Sequence, residues 1–238
     1  MAQGVAWWAR RLGLRCTVVI PATAPETKVA ASRRLGAEIV KVPFDDWLEI
    51  FRTHAHEGLE GFFVHAFSDP AVMAGNGTIA LEILEDLPDP DAVVIPYGGG
   101  GLACGIASAL RVLAPGCKVY ACEVATAAPL AASLAAGELT RVDYVPSFVD
   151  GIGAPEVFPE MFELTRELVD GSLVAGVDEV AEAVRLLAER ARIVAEGAGA
   201  TPVAAALAGK AGGGKVVCVV SGGNIDATKL AEILTQDL

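Results

Sequence analysis

An α/β fold built on open, mostly parallel twisted sheets with flanking helices is predicted by three features of the sequence. Short β-branched runs alternate with longer segments of helical period. Gly- and Pro-containing turns separate many of those segments. The 238 residues are 53% hydrophobic, enough to bury a substantial core. Mean hydropathy of +0.48 excludes a disordered or low-complexity chain. Eighteen Lys and Arg against 30 Asp and Glu leave a formal charge of −12. That field repels polyanions, so no nucleic-acid partner is expected.

A helix is predicted over 2–12, with Val5, Trp8 and Leu12 on one face and Gly13 as its stop. A buried strand follows at 16–20, then a helix over 26–35 opened by Pro25 and closed by Gly36. Strand 38–42 precedes a helix begun by Asp45 and Asp46 and stopped by Gly58, and a third strand is expected at 61–65. The break Gly75-Asn76-Gly77 sets a helix over 79–87. Strand 92–95 runs into Pro96-Tyr97-Gly98-Gly99-Gly100-Gly101, followed by a helix over 102–113 and a strand over 118–123. Residues 138–155 lack periodicity, whereas 160–168, 178–191 and 198–207 return to helical spacing. Strand 216–220, the turn Ser221-Gly222-Gly223-Asn224 and a helix over 226–234 close the chain.

The longest apolar stretches, 203–208 and 216–220, fall short of the roughly 20 residues a bilayer span needs. Trp7, Trp8, Arg10 and Arg11 sit where a signal peptide would be apolar, so a cytoplasmic protein without a membrane partner is expected. Cys16, Cys104, Cys117, Cys122 and Cys218 form no CxxC pair and read as buried, reduced thiols.

In open α/β sheets, ligands bind beyond the carboxyl ends of strands. At Gly98, Gly99, Gly100 and Gly101 the bare backbone between a strand and a helix N-terminus can direct several N–H groups at one anion, as a phosphate cradle does. The spacing is neither GxGxxG nor GxxxxGK[ST], so neither a dinucleotide nor a nucleoside triphosphate is indicated. Ser221 sits in a second such turn, as a polar contact for a ligand or as an ordinary turn former. His54 and His56 read as residues of an exposed helix and His65 as a strand end, without metal-ligand spacing. A hydrolase alternative, with Ser221 or Ser147 as nucleophile and His65 as base, lacks a GxSxG elbow. A non-catalytic anion-binding module is a third reading.

Six motifs occur in series: Ala2-Gln3-Gly4-Val5-Ala6; Asp69-Pro70 with Ala74-Gly75-Asn76-Gly77-Thr78; Gly98 to Gly101; Asp150-Gly151-Ile152; Ile193-Val194-Ala195-Glu196-Gly197-Ala198-Gly199-Ala200; and Ser221-Gly222-Gly223-Asn224. Through them the chain resembles the fold-type II pyridoxal-phosphate enzymes, in the threonine dehydratase, serine dehydratase and serine racemase group. The resemblance implies the two-domain architecture of the tryptophan synthase β type, here a small domain over 1–69 and a large cofactor-binding domain over 70–238. It implies pyridoxal phosphate as cofactor, with its phosphate on Gly98 to Gly101, Ser221 on the pyridine nitrogen and Glu196 near the ring. The partner implied is a small-molecule amino acid or a phosphate-bearing ligand.

The same resemblance implies what is missing. The family's Schiff-base lysine precedes the segment matched by Ala2-Gln3-Gly4, and none of Lys28, Lys41, Lys118, Lys210, Lys215 or Lys229 stands in its motif. The fold is expected to be incomplete at its N-terminus, the cofactor non-covalent at best, and dehydratase turnover absent. A regulatory domain is not expected after Asn224. Glu123 and Ala127 match metal-ligand positions of some members, but Pro129 replaces an acidic ligand, so no metal is expected. A truncated fold leaves apolar faces to cover, and Val5, Trp7, Trp8 and Leu12 predict a homo-oligomer through the first helix.

Overall fold

The structure, a computed structural model, describes residues 1–235. The chain divides into two compact units, Met1–Ala66 and Phe67–Leu238. Among the described residues no helix is long and apolar enough to cross a membrane.

The first unit opens with α1 (Ala2–Leu12), ended by Gly13 in the left-handed conformation, φ 69°. Leu14 N–H reaches back to the Ala9 carbonyl at 2.9 Å, so the turn supplies an acceptor's missing partner at the helix end. Ala6 is the buried residue of α1 and packs with Val18 and Ala37. Trp7 and Trp8 meet edge to face at 4.8 Å with Arg11 over the Trp7 ring, and both indoles stay largely exposed. Strands β1 (Thr17–Pro21) and β2 (Glu38–Val42) pair in parallel, joined through α2 (Glu26–Arg34), and α3 (Phe44–Thr53) follows.

Two expectations for this unit need correction. Residues 61–65 pair with no strand among the described residues, and Phe62 is 87% exposed. Aromatic and β-branched residues favour a strand only where a neighbouring strand supplies ladder bonds and packing. The helix carrying the histidines ends at Thr53, capped by His54 at φ 56°, which leaves His56 beyond it. His65, expected at a strand end, is buried instead, with Nε2 3.2 Å from the Phe51 carbonyl oxygen and the rings of Phe51 and Phe63 around it.

The second unit is a four-stranded parallel sheet in the order β5-β4-β3-β6, from β3 (Ala92–Pro96), β4 (Lys118–Val124), β5 (Gly171–Ala175) and β6 (Val216–Cys218). Every residue of β3 is buried, as a strand covered on both faces requires. Helices α5 (Gly101–Leu113) and α9 (Gly197–Leu207) pack on it. Val93, Val94 and Ile95 are fully buried, each contributing about 1.5–3 kcal/mol of apolar burial. The Ala- and Gly-rich composition of α9 lets it lie close against β3, β4 and β5.

Helix α4 (Pro70–Asp86) begins nine residues before the sequence placed it. Asp69 caps it, its Oδ1 accepting from the Ala71 N–H at 2.8 Å and the Val72 N–H, and Pro70 supplies the first helical residue. Gly75-Asn76-Gly77 is therefore helical, not a break. A side chain at Gly77 would stand 3.1 Å from the Gly105 carbonyl oxygen, and one at Gly105 2.3 Å from that of Met73. The glycines allow α4 and α5 to approach closely. The remaining elements are α6 (Pro129–Ala136), α7 (Pro159–Leu168), α8 (Val177–Leu186) and α10 (Ala227–Thr235). Helix α8 runs into a π-helical turn, Leu187–Ala191, ended by Arg192 at φ 59°. Neither α6 nor β5 was anticipated.

Candidate functional site

The 98–101 turn leaves the carboxyl end of β3 and enters α5. Tyr97 N–H donates to the Cys122 carbonyl at 2.8 Å, so the strand ladder holds until the turn begins. Gly100 then turns the chain at φ 93° and serves as N-cap of α5 without a side chain. The next intrahelical donor is the Cys104 N–H, 2.8 Å from the Gly100 carbonyl oxygen. The N–H groups from Gly98 to Ala103 consequently have no acceptor among the described residues. Gly100, Gly101 and Ala103 are buried. Buried N–H groups need a partner, and six in succession at a helix N-terminus form a cradle suited to an anion.

The turn is tightly packed from the protein side. A side chain at Gly99 would meet the Phe67 ring at 2.1 Å, and one at Gly101 the Phe67 Cα at 2.5 Å. At Gly98 it would stand 3.2 Å from the Ile152 Cα. Asn76 Nδ2 donates to the Gly101 carbonyl at 3.2 Å. Two motifs distant in sequence, Asn76 in α4 and Gly151-Ile152 in a short 3-10 turn, thereby meet at the glycine turn.

The same contacts extend to the end of β6. Glu196 is the N-cap of α9, and its N–H donates to the Gly222 carbonyl at 3.0 Å. Its carboxylate lies against Gly222, where a side chain would stand 2.4 Å from Oε1, and Oε2 is 4.0 Å from the corresponding position at Gly151. Ser221 is exposed at this turn, its N–H side close to Gly199. Gly98 to Gly101, Gly151, Glu196 and Ser221 therefore lie around the carboxyl ends of β3 and β6.

Glu123 is engaged differently. Its Oε1 accepts from the Leu130 N–H at 2.8 Å, and its Oε2 from the Ala131 N–H at 2.8 Å and the Ser172 hydroxyl at 2.7 Å. Burial pushes its carboxyl above the usual range, opposed by the three donors. Both oxygens face donors at the N-terminus of α6, and Pro129, the first residue of that helix, adds no ligand atom.

The hydrolase arrangement receives no support. All three histidines belong to the first unit, whereas Ser147 and Ser221 belong to the second. Ser147 Oγ instead accepts from the Val149 N–H and shares a 3.4 Å contact with Thr126.

Sequence reasoning missed Phe67, Tyr97 and Thr165. Tyr97 Oη shares a 3.0 Å hydrogen bond with Thr165 Oγ1, which lies 3.3 Å from Cys104 Sγ. Tyr97 stood beside the glycines in sequence, but nothing local pointed to a partner 68 residues away.

Residues 1–222 match the family described as pyridoxal-phosphate dependent enzyme. The L-threonine ammonia-lyase of Thermotoga maritima is 41% identical over 240 residues, covering all of this chain and 60% of the relative. The chain thus spans about 60% of the length of that relative. The processed form of threonine deaminase isoform 2 from Solanum lycopersicum superposes at TM-score 0.84 with 33% identity, covering 98% of this chain and 69% of the other. Serine racemase from Dictyostelium discoideum superposes at 0.79 with 30% identity, covering 94% and 74%. A match over nearly the whole chain, joined to a glycine cradle at a strand end, has one reading: this chain belongs to the pyridoxal-phosphate dependent enzymes, with the mixed α/β fold of that family.

Proposed function

We propose that this chain supplies the phosphate- and ring-binding half of a threonine or serine ammonia-lyase type of active site. The observation that carries this reading is the run of acceptor-free N–H groups from Gly98 to Ala103 at the N-terminus of α5. Those groups would hold the cofactor phosphate. Ser221 would meet the pyridine nitrogen, and Glu196, fixed against Gly222, would stand beside the ring. Bound pyridoxal phosphate supplies an electron sink for charge developing at the substrate Cα. A neutral hydroxyl at the ring nitrogen leaves that sink weaker than an acidic partner would.

Ion pairs at the four lysines of the second unit support a reading in which none of them is the covalent anchor. Lys118 pairs with Asp170, Lys210 with Glu179, Lys215 with Asp89 and Lys229 with Glu232. Neither these four nor Lys28 and Lys41 stand in the family's lysine motif, so on this reading binding is non-covalent and serine and threonine are not dehydrated by this chain alone. Titration with pyridoxal phosphate, followed by hydride reduction and a keto-acid assay, tests the proposal. A raised melting temperature without a reducible adduct or keto acid is expected. Keto-acid release abolished by a single Lys→Ala substitution would overturn it.

A homo-oligomer through α1 is also proposed, supported by the exposure of Trp7, Trp8 and Leu12 on that helix. Light scattering of the double substitution Trp7→Glu, Trp8→Glu tests it: the association state should fall, and an unchanged mass removes the proposal.

A further inference from the structure

One buried hydroxyl ties both ends of the glycine turn to the helix beneath it. Tyr97 is the last residue before Gly98, and Cys104 lies three residues beyond Gly101. Thr165, in α7, touches both: Oγ1 is 3.0 Å from Tyr97 Oη and 3.3 Å from Cys104 Sγ. Tyr97 is 1% exposed, and Thr165 and Cys104 are fully buried. The tyrosine hydroxyl also defines the underside of Gly100: a side chain there would stand 2.9 Å from Tyr97 Oη and 3.2 Å from the Met161 Cε. Gly100 is the residue with φ 93°, where the chain reverses from turn to helix.

A buried hydroxyl without a partner is costly, so the three groups hold only if each keeps the arrangement that satisfies the others. Three apolar side chains of similar volume would fill the space without that requirement and without a preferred direction. The polar trio restricts how far the turn can slide along, or roll over, α7. Burial raises the Tyr97 phenol, so it stays protonated and able to donate throughout the physiological range. The donors of the cradle are backbone N–H groups with no side-chain cap to fix them. Their convergence depends on whatever holds the two ends of the turn.

We propose that Thr165 and Tyr97 are positioning residues for phosphate: through Cys104 on one side and the strand end on the other, they set the pitch of the 98–101 turn. This rests on the reading that the turn receives a cofactor phosphate. The trio touches neither Ser221 nor Glu196 in any described contact, so its effect is confined to the phosphate end of the ligand.

The experiment compares affinities for pyridoxal phosphate and for pyridoxal, which lacks the phosphate, in the wild-type chain and in Thr165→Val, Thr165→Ser and Tyr97→Phe. Thr165→Val should weaken pyridoxal phosphate about tenfold, equivalent to ~1.4 kcal/mol, and leave pyridoxal within about twofold. Thr165→Ser, which keeps the hydroxyl, should restore the difference between the two ligands. Tyr97→Phe should act in the same direction as Thr165→Val, and combining them should add little, because they act through one contact. A purely structural role would lower the melting temperature while weakening both ligands alike, and that result overturns the proposal. So does Thr165→Ser behaving as Thr165→Val. Should Thr165→Val fail to fold, Tyr97→Phe gives the same two affinities and decides. A wild-type chain that binds no pyridoxal phosphate overturns the reading of the site together with this inference. A wild-type chain that binds it, with variants of unchanged selectivity, overturns this inference alone.

Discussion

The two ends of the parallel sheet in the second unit are built from opposite materials. At the amino ends of its strands, backbone and side chains are tied by charge. Asp170, just before β5, accepts from Arg111 at 2.7 Å, from Lys118 at 2.8 Å and from the Val119 N–H at 2.9 Å. Asp91, just before β3, accepts from the Lys215 N–H at 2.7 Å, and Lys215 Nζ reaches Asp89. At the carboxyl ends, β3 and β6 run into glycine turns, and the N–H groups from Gly98 to Ala103 find no acceptor among the described residues. One end spends its polar groups on itself, while the other keeps them available. On the proposed reading of the glycine turns, that division separates stability from binding within a single sheet, and it makes substitutions at the two ends distinguishable.

The largest effect is expected where the open end is most tightly packed. Gly101→Ala places a methyl group 2.5 Å from the Phe67 Cα and 2.6 Å from its carbonyl oxygen, and backbone has nowhere to move. A loss of about 3 kcal/mol in chemical denaturation is expected, with loss of the stabilisation that pyridoxal phosphate gives the wild type. A variant of unchanged stability would show that Phe67 does not floor the turn.

Glu123→Ala tests the exception to the comparison, since β4 ends not in an open turn but on a carboxylate that caps α6. Its removal leaves the Leu130 and Ala131 N–H groups and the Ser172 hydroxyl without their acceptor. About 2 kcal/mol should be lost, with pyridoxal phosphate affinity retained in the folded fraction. Loss of affinity at full stability would place Glu123 with the binding residues instead.

The closed end should respond to pH. Burial alone would raise Asp170, but the bonds from Lys118, Arg111 and the Val119 N–H outweigh it and hold the carboxyl at about 2. Since the folded value lies below the unfolded one, the stabilisation is complete above the ordinary aspartate range near 3.8 and is lost as pH falls through about 2. A shift of this size corresponds to ~2 kcal/mol, which solvent screening at the sheet's edge reduces to about 1 kcal/mol. Asp170→Asn should therefore lower stability at neutral pH by about 1 kcal/mol and flatten its fall in acid, without changing ligand affinity. An equal loss at pH 7 and below pH 2 would remove the electrostatic explanation.

The open end was more legible in the sequence than the helices that support it. Strand β3 followed by four glycines is a local signal, and so is β6 followed by Ser221-Gly222-Gly223-Asn224, because both depend on neighbours in the chain. The start of α4 was legible in principle: Asp69 followed by Pro70 is a cap and a first helical residue. The glycines after it outweighed that signal, because their reason for being in a helix is the approach of α5, which sequence does not display. β5 escaped notice as a short edge strand whose residues are mostly half-buried. Residues 61–65 have strand composition but pair with no strand among the described residues. Phe67, Tyr97 and Thr165 reach the turn only through long-range packing, so the floor of the site could not be read from spacing.

Gly222→Ala should have the smallest effect on stability, and it sharpens the contrast because its geometry looks as tight as that at Gly101. The added methyl group would stand 2.4 Å from Glu196 Oε1 and 3.4 Å from its Cδ. Those atoms are the far end of a side chain that can turn aside, whereas Phe67 opposes Gly101 with its backbone. The fold should therefore tolerate the change within about 0.5 kcal/mol, as half-exposed substitutions usually do. What must yield is the carboxylate, which leaves its place between Gly222 and Gly151. If Glu196 stands beside the ring of a bound ligand, the absorption spectrum of bound pyridoxal phosphate should change while the melting temperature of the free chain does not. A melting temperature lowered as far as in Gly101→Ala would mean that the second turn is as rigid as the first, and the two glycine turns would then differ in exposure alone.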